Sequence, residues 1–151
     1  MTAICIVGTG HVGLMYGVAF ALGGYHVAGV DVDAKTIQTL QRGTPMFYEP
    51  GLEAALTLAL RTKRLVFSED VIGAARSAEV VFLCVGTPSR PDGSTDLTFL
   101  EAAARTVGEA LRSTTRYHVV AVKSTVVPGA SLIWRPRGSV SLRRGWADRR
   151  D

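Results

Sequence analysis

Ala3-Ile4-Cys5-Ile6-Val7-Gly8-Thr9-Gly10-His11-Val12-Gly13 stands almost at the start of the chain. Five consecutive apolar residues without alternation suit a strand covered on both faces, as in a parallel sheet. Glycines at 8, 10 and 13 follow at once, and a helical segment from His11 to Leu22 begins among them. Each glycine has a separate physical task in a strand–turn–helix of this kind. Gly8 permits the tight turn, Gly10 lets the backbone approach a pyrophosphate, and Gly13 allows the helix to pack closely on the strand. The helix start supplies N–H groups without intrahelical partners and the positive end of the helix dipole, a setting for phosphate.

Working outward, Val12 to Val30 carries no Asp, Glu, Lys or Arg over 19 residues, nearly a bilayer-spanning length. Gly23-Gly24-Tyr25-His26 interrupts it, so a helix, a turn and a second apolar strand from Tyr25 to Val30 are expected instead. No charged segment precedes it to make a signal peptide. Asp31 ends that strand, placed to accept from the hydroxyls of an adenosine ribose. A carboxylate there favours NAD over NADP because it repels a 2′-phosphate, although Lys35 is near enough to blunt the effect. The turn with no ligand, and Asp31 as a simple helix cap, is the alternative reading.

Further along, Asp33 is expected to cap a helix through Gln41 that stops at Gly43. A helix from Gly51 to about Thr62, a strand at Leu65–Ser68 and a short helical connection from Val71 to Ser77 follow. Two more strands are expected at Glu79–Val85 and His118–Val122, with a helix from Leu97 to about Arg112 between them. Strands alternating with helices imply parallel pairing through right-handed crossovers. The fold class expected is therefore α/β, a Rossmann-type doubly wound parallel sheet of about five strands.

Composition narrows the function classes. A chain of 151 residues holds one domain with a core, and 47% hydrophobic with 20% charged residues describes a soluble globular protein. Of 17 basic and 13 acidic residues, six and two lie beyond Leu132, which leaves 11 of each in the body. The net charge of +4 is thus a property of the tail, so no nucleic-acid partner is expected for the body, and no membrane partner either. Cys5 and Cys84 sit inside apolar runs, as reduced thiols in a cytoplasmic protein would. No metal site is expected, since His11 shares its segment with no second histidine or cysteine.

Four segments together resemble the UDP-glucose/GDP-mannose dehydrogenase family. They are Val7–Leu14 with Val30–Asp33; Phe47–Glu53; Val85–Ser89 with Asp92–Ser94 and Asp96-Leu97; and Val122–Val126 with Pro128-Gly129. The resemblance covers residues 1 to about 131 and implies an incomplete nucleotide-sugar 6-dehydrogenase. It implies NAD as cofactor, bound by Gly8, Gly10, His11, Val12, Gly13 and Asp31, with Gly86, Thr87 and Pro88 lying against it. Thr125 matches a threonine that contacts the nicotinamide side and helps hold a catalytic water. From the residues alone, Thr87 serves equally as a turn cap and Thr125 as a partner for a loop carbonyl. The Phe47–Gly51 loop reads either as a structured turn or as a ligand or partner contact.

By the same resemblance, the full enzyme oxidises a UDP- or GDP-sugar CH₂OH to carboxylate in two hydride transfers through a cysteine thioester. The sugar site, that cysteine and the dimer-building element belong to later domains. Cys5 and Cys84 match no catalytic position. Residues 132–151 are rich in arginine and follow no element pattern, and are expected to be irregular and foreign to the fold, as in a truncated or frame-shifted product. A stand-alone NAD-binding module, regulatory or interactive, with the tail as an interaction arm, is the competing function.

Overall fold

The computed structural model describes residues 2–126. The tail at 132–151 lies outside the described residues. Element order is β1 (Ala3–Val7), α1 (His11–Leu22), β2 (His26–Val30), α2 (Ala34–Gln41), α3 (Leu52–Arg61), β3 (Leu65–Ser68), α4 (Val71–Ser77), β4 (Val80–Leu83), α5 (Thr98–Leu111) and β5 (Val119–Val122). The five strands form one sheet in the order β3-β2-β1-β4-β5. Every neighbouring pair is parallel. This is the doubly wound α/β architecture that the alternation of apolar runs and helical segments leads one to expect.

Alternation along β1 builds the two layers. Ile4 and Ile6 enter one core with Leu14 and Val18 of α1, Leu40 of α2 and Leu56 of α3. Cys5 and Val7 enter the other with Val30, Val81 and Leu83, covered by Ala75 of α4 and by Leu100, Ala104 and Val107 of α5. A strand buried on both faces has no polar side to show, which is why its sequence is uniformly apolar. On the first layer Tyr16, Phe20 and Phe82 extend the core as an aromatic cluster, with ring centroids 5.3–6.1 Å apart.

Local chemistry sets the element ends. The Asp33 side chain accepts from Lys35 N–H and Thr36 N–H and so caps α2, as its sequence position indicates. Gly43, at φ +83°, closes that helix in a left-handed conformation. Tyr25 falls outside β2, because its N–H donates to the Phe20 carbonyl and completes the end of α1. The uncharged stretch Val12–Val30 divides into α1, a turn and β2, and among the described residues no helix is long and apolar enough to cross a membrane.

The strand order reverses between β1 and β4. From that switch the chain winds outward through β2 and β3 on one side and β5 on the other. In open parallel sheets the ligand crevice lies at the carboxyl ends of the two strands flanking such a point. Gly8–Gly10 leave β1 there, Asp31 leaves β2, Gly86–Pro88 follow β4, and Thr125 follows β5.

Candidate dinucleotide site

The turn after β1 is built by close contacts that exclude side chains at two of its glycines. Gly8 takes φ +93°, and a Cβ there would lie 2.9 Å from the Cys84 carbonyl carbon and the Val85 nitrogen. A Cβ on Gly13 would lie 1.9 Å from the Gly8 carbonyl oxygen. These contacts press the first turn of α1 against the ends of β1 and β4. Gly10 differs: a Cβ would meet nothing within 4 Å, so its open face is backbone bared to the crevice.

No side chain caps α1, and Gly10 is its N-cap. The first intrahelical bond is Leu14 N–H to the Gly10 carbonyl at 2.9 Å, which leaves the N–H groups before Leu14 directed out of the helix end. Gly8 N–H instead donates to the Val30 carbonyl at 2.8 Å and continues the ladder to β2. Oriented donors, a dipole end and a bare glycine face make a cradle for diphosphate. The residues present therefore fit a dinucleotide.

Asp31 sits beside this turn and is held tightly. Its Oδ2 accepts from Thr9 N–H at 2.8 Å and from the Thr9 hydroxyl at 3.0 Å, and its Oδ1 accepts from Asp33 N–H at 3.1 Å. Reading the sequence identified Asp31 but missed Thr9, which is the buried polar residue of the described core, at 2% exposure. An x position inside a glycine motif carries no periodic signal. The partnership spans 22 residues and exists only once β1 and β2 are paired.

His11 and Val12 are exposed at the first turn of α1. The His11 ring stacks on Phe47 at 4.0 Å with an interplanar angle of 12°, and its Nε2 lies 3.9 Å from a Glu49 carboxylate oxygen. The aromatic loop after α2 is thereby drawn over the helix start. Neither half of this contact names the other in the sequence.

On the other side of the switch point, Gly86 and Pro88 are exposed and Thr87 is half-buried. The Thr87 hydroxyl donates to the Thr125 carbonyl at 2.8 Å, and the Ser124 hydroxyl to the Val85 carbonyl at 2.6 Å. These bonds join the loops after β4 and β5 and bring Thr87 and Thr125 to one edge of the crevice, with the Thr125 side chain exposed. Further along, a short bridge pairs Ser89 with Thr95, and Arg90 pairs with Asp96 at 3.2 Å. Asp96 also accepts from the Thr98 N–H and hydroxyl at the start of α5. These bonds hold its carboxyl down at about 2.

Neither thiol is an activated nucleophile. Burial pushes Cys5 up to about 12 and Cys84 up to about 11, the latter in spite of the nearby Lys123 cation. Among the described residues no three His, Cys, Asp or Glu side chains cluster as metal ligands.

A sequence model of the UDP-glucose/GDP-mannose dehydrogenase family, NAD binding domain, matches residues 2–135. The chain belongs to this family. Its cofactor is accordingly NAD. Among its relatives, UDP-glucose 6-dehydrogenase TuaD of Bacillus subtilis is 40% identical over 129 residues, which is 85% of this chain and 27% of the relative. GDP-mannose 6-dehydrogenase of Pseudomonas aeruginosa is 40% identical over 126 residues, 83% of this chain and 29% of the relative. A solved UDP-glucose dehydrogenase from Pyrobaculum islandicum superposes with a TM-score of 0.82 at 47% identity, covering 85% of this chain and 30% of that one. A GDP-mannose dehydrogenase ternary complex from Pseudomonas aeruginosa gives 0.81 at 40% identity, over 83% and 29%. This member of the UDP-glucose/GDP-mannose dehydrogenase family thus spans under a third of the length of these relatives. The match includes the whole dinucleotide crevice and extends a little past Ser131.

Proposed function

We propose that the chain is the hydride-accepting half of a nucleotide-sugar 6-dehydrogenase of the UDP-glucose to UDP-glucuronate type. It holds NAD between the first turn of α1 and Asp31. Gly10, His11, Val12 and Gly13 offer backbone N–H groups to the pyrophosphate, while Gly8 shapes the turn. Asp31 accepts from the adenosine ribose diol. Gly86, Thr87 and Pro88 flank the nicotinamide end, and Thr125 faces the reaction side, where its hydroxyl holds water. Bound NAD supplies the hydride acceptor; the protein groups orient it and exclude a 2′-phosphate.

The observation that carries this reading is the convergence of an uncapped helix start, a bare glycine face and a fixed carboxylate at one switch point. The relatives named above are UDP-glucose and GDP-mannose dehydrogenases, which supports a nucleotide sugar as substrate of the whole enzyme. By itself the chain is expected not to carry that sugar to the carboxylate, because both of its thiols are buried and neither is free to form the thioester. Buried reduced thiols also agree with work in the cytoplasm.

Calorimetric titration of the 151-residue chain with NAD and with NADP tests the proposal. NAD is expected to bind and NADP to bind at least about tenfold more weakly. Equal affinities would remove the role of Asp31, and no binding of either would remove the site. Mixing the chain with NAD and UDP-glucose is expected to produce no UDP-glucuronate. Steady turnover would refute the inactivity of the isolated chain.

A further inference from the structure

We infer that Thr9 is a specificity-determining positioning residue, which fixes the Asp31 carboxylate in the one orientation that accepts a ribose diol and refuses a 2′-phosphate. The inference rests on the proposed contact between Asp31 and the ribose. Thr9 occupies the variable position between the first two glycines of the turn, and nothing in its side chain reaches solvent. Its exposure is 2%, so it does not itself touch a cofactor.

Both donors of Thr9 converge on a single atom. The N–H and the hydroxyl reach Asp31 Oδ2 at 2.8 and 3.0 Å, while Asp33 N–H reaches Oδ1 at 3.1 Å. Three donors on one carboxylate stop its rotation and leave its remaining acceptor capacity on a fixed side. The Thr9 methyl lies beside Gly29, where an added side-chain carbon would come 2.8 Å from the Phe67 ring and 3.2 Å from that methyl. Gly29 of β2 thus leaves room for both Phe67 and Thr9, Thr9 orients Asp31, and Asp31 faces the crevice.

Two consequences follow for binding. A carboxylate already oriented needs no reordering when the ribose arrives, which strengthens NAD binding. To admit NADP, that carboxylate has to swing away from the phosphate, and the swing breaks both Thr9 bonds and leaves a buried hydroxyl unpaired. Thr9 therefore acts on the ratio of the two affinities and not merely on stability. The N–H of Thr9 is also withdrawn from the phosphate cradle, which begins one residue later at Gly10.

The test measures NAD and NADP dissociation constants and melting temperatures for the 151-residue chain and for Thr9→Val, Thr9→Ala, Thr9→Ser and Asp31→Asn. Thr9→Val and Thr9→Ala, which lack the hydroxyl, are expected to bind NAD about tenfold more weakly and to narrow the NAD:NADP ratio about tenfold. Thr9→Ser keeps the hydroxyl and is expected to stay within about twofold of the parent ratio. A Thr9→Val or Thr9→Ala protein that melts normally with an unchanged ratio overturns the inference. So does Thr9→Ser losing as much discrimination as Thr9→Val, since the methyl would then be the active part. If both hydroxyl-less variants fail to fold, Thr9 is a folding residue and the inference falls. An unchanged ratio in Asp31→Asn instead overturns the ribose contact itself, an outcome separable from failure at Thr9 alone.

Discussion

Replacing Gly13 with alanine is expected to unseat α1 from the sheet. The added carbon would lie 1.9 Å from the Gly8 carbonyl oxygen, 3.0 Å from the Gly8 carbonyl carbon and 3.2 Å from Ile6 Cγ2. The first two are backbone atoms of the turn and have no rotamer to change. Gly8 is also closely flanked, since a carbon added to it would come 2.9 Å from the Cys84 and Val85 backbone. Relief requires the helix to shift, which loosens Leu14 and Val18 against Ile4 and Ile6 in the first core. Overpacking of this severity costs about 3 kcal/mol, the upper part of its usual range. For a domain of this size that lowers Tm by roughly 10 °C.

Gly17 supplies the control one turn later. A Cβ there meets Ile6 Cδ1 and Leu65 Cδ1 at 3.6 Å, an ordinary contact. Alanine is also favoured over glycine inside a helix by about 1 kcal/mol. Gly17→Ala is therefore expected to melt at or above the parent temperature. Thermal unfolding followed by circular dichroism compares the three proteins. A Gly13→Ala protein that melts with the parent, or below it by no more than Gly17→Ala does, would refute the account of how α1 is seated.

Gly10→Ala has open space around the new carbon and is expected to keep the parent Tm while NAD affinity drops at least about tenfold, read by calorimetry. His118 has Ala78 O at 2.7 Å from Nδ1 and the Thr114 hydroxyl at 2.9 Å from Nε2, so His118→Ala is expected to cost about 1–3 kcal/mol in urea unfolding without changing NAD affinity. The Asp96 carboxyl is lowered from 3.8 to about 2, first by the Thr98 hydroxyl, then by the Thr98 N–H. A lowered folded-state value means the contribution is present above about 3.8 and is lost as pH falls toward 2. Asp96→Asn is accordingly expected to flatten the stability profile in that window and to lower stability by a pH-independent amount above it, neutrality included. Cys5 and Cys84, pushed up to about 12 and about 11, are expected to resist a thiol reagent in the folded chain at neutral pH and to react fully in denaturant. Rapid labelling of both in the native protein would contradict their burial.

Much of the architecture is legible in the sequence. Helices at 11–22 and 71–77 have the bounds that periodicity and glycine placement indicate. The Asp33 cap is a contact of two and three residues' reach and was legible for the same reason. Strand ends were less sharply readable. β4 covers Val80–Leu83 within the expected span Glu79–Val85, because Cys84 and Val85 continue the apolar run after strand geometry has ended. β5 likewise begins one residue after His118, whose ring is engaged with Ala78 and Thr114.

The sequence by itself determined the pieces: uniformly apolar strands, helices between them, a glycine turn where strand meets helix, and a carboxylate one strand later. These depend on neighbours a few residues away, and such chemistry is written locally. Tertiary structure alone decided the partnerships: Thr9 with Asp31, His11 with Phe47, Thr87 with Thr125. Each joins residues 22 to 38 positions apart that carry no mark of one another. Parallel pairing is the reason, since every strand must cross a helix before meeting its neighbour, and the groups that line the crevice gather only at the far ends of those crossings.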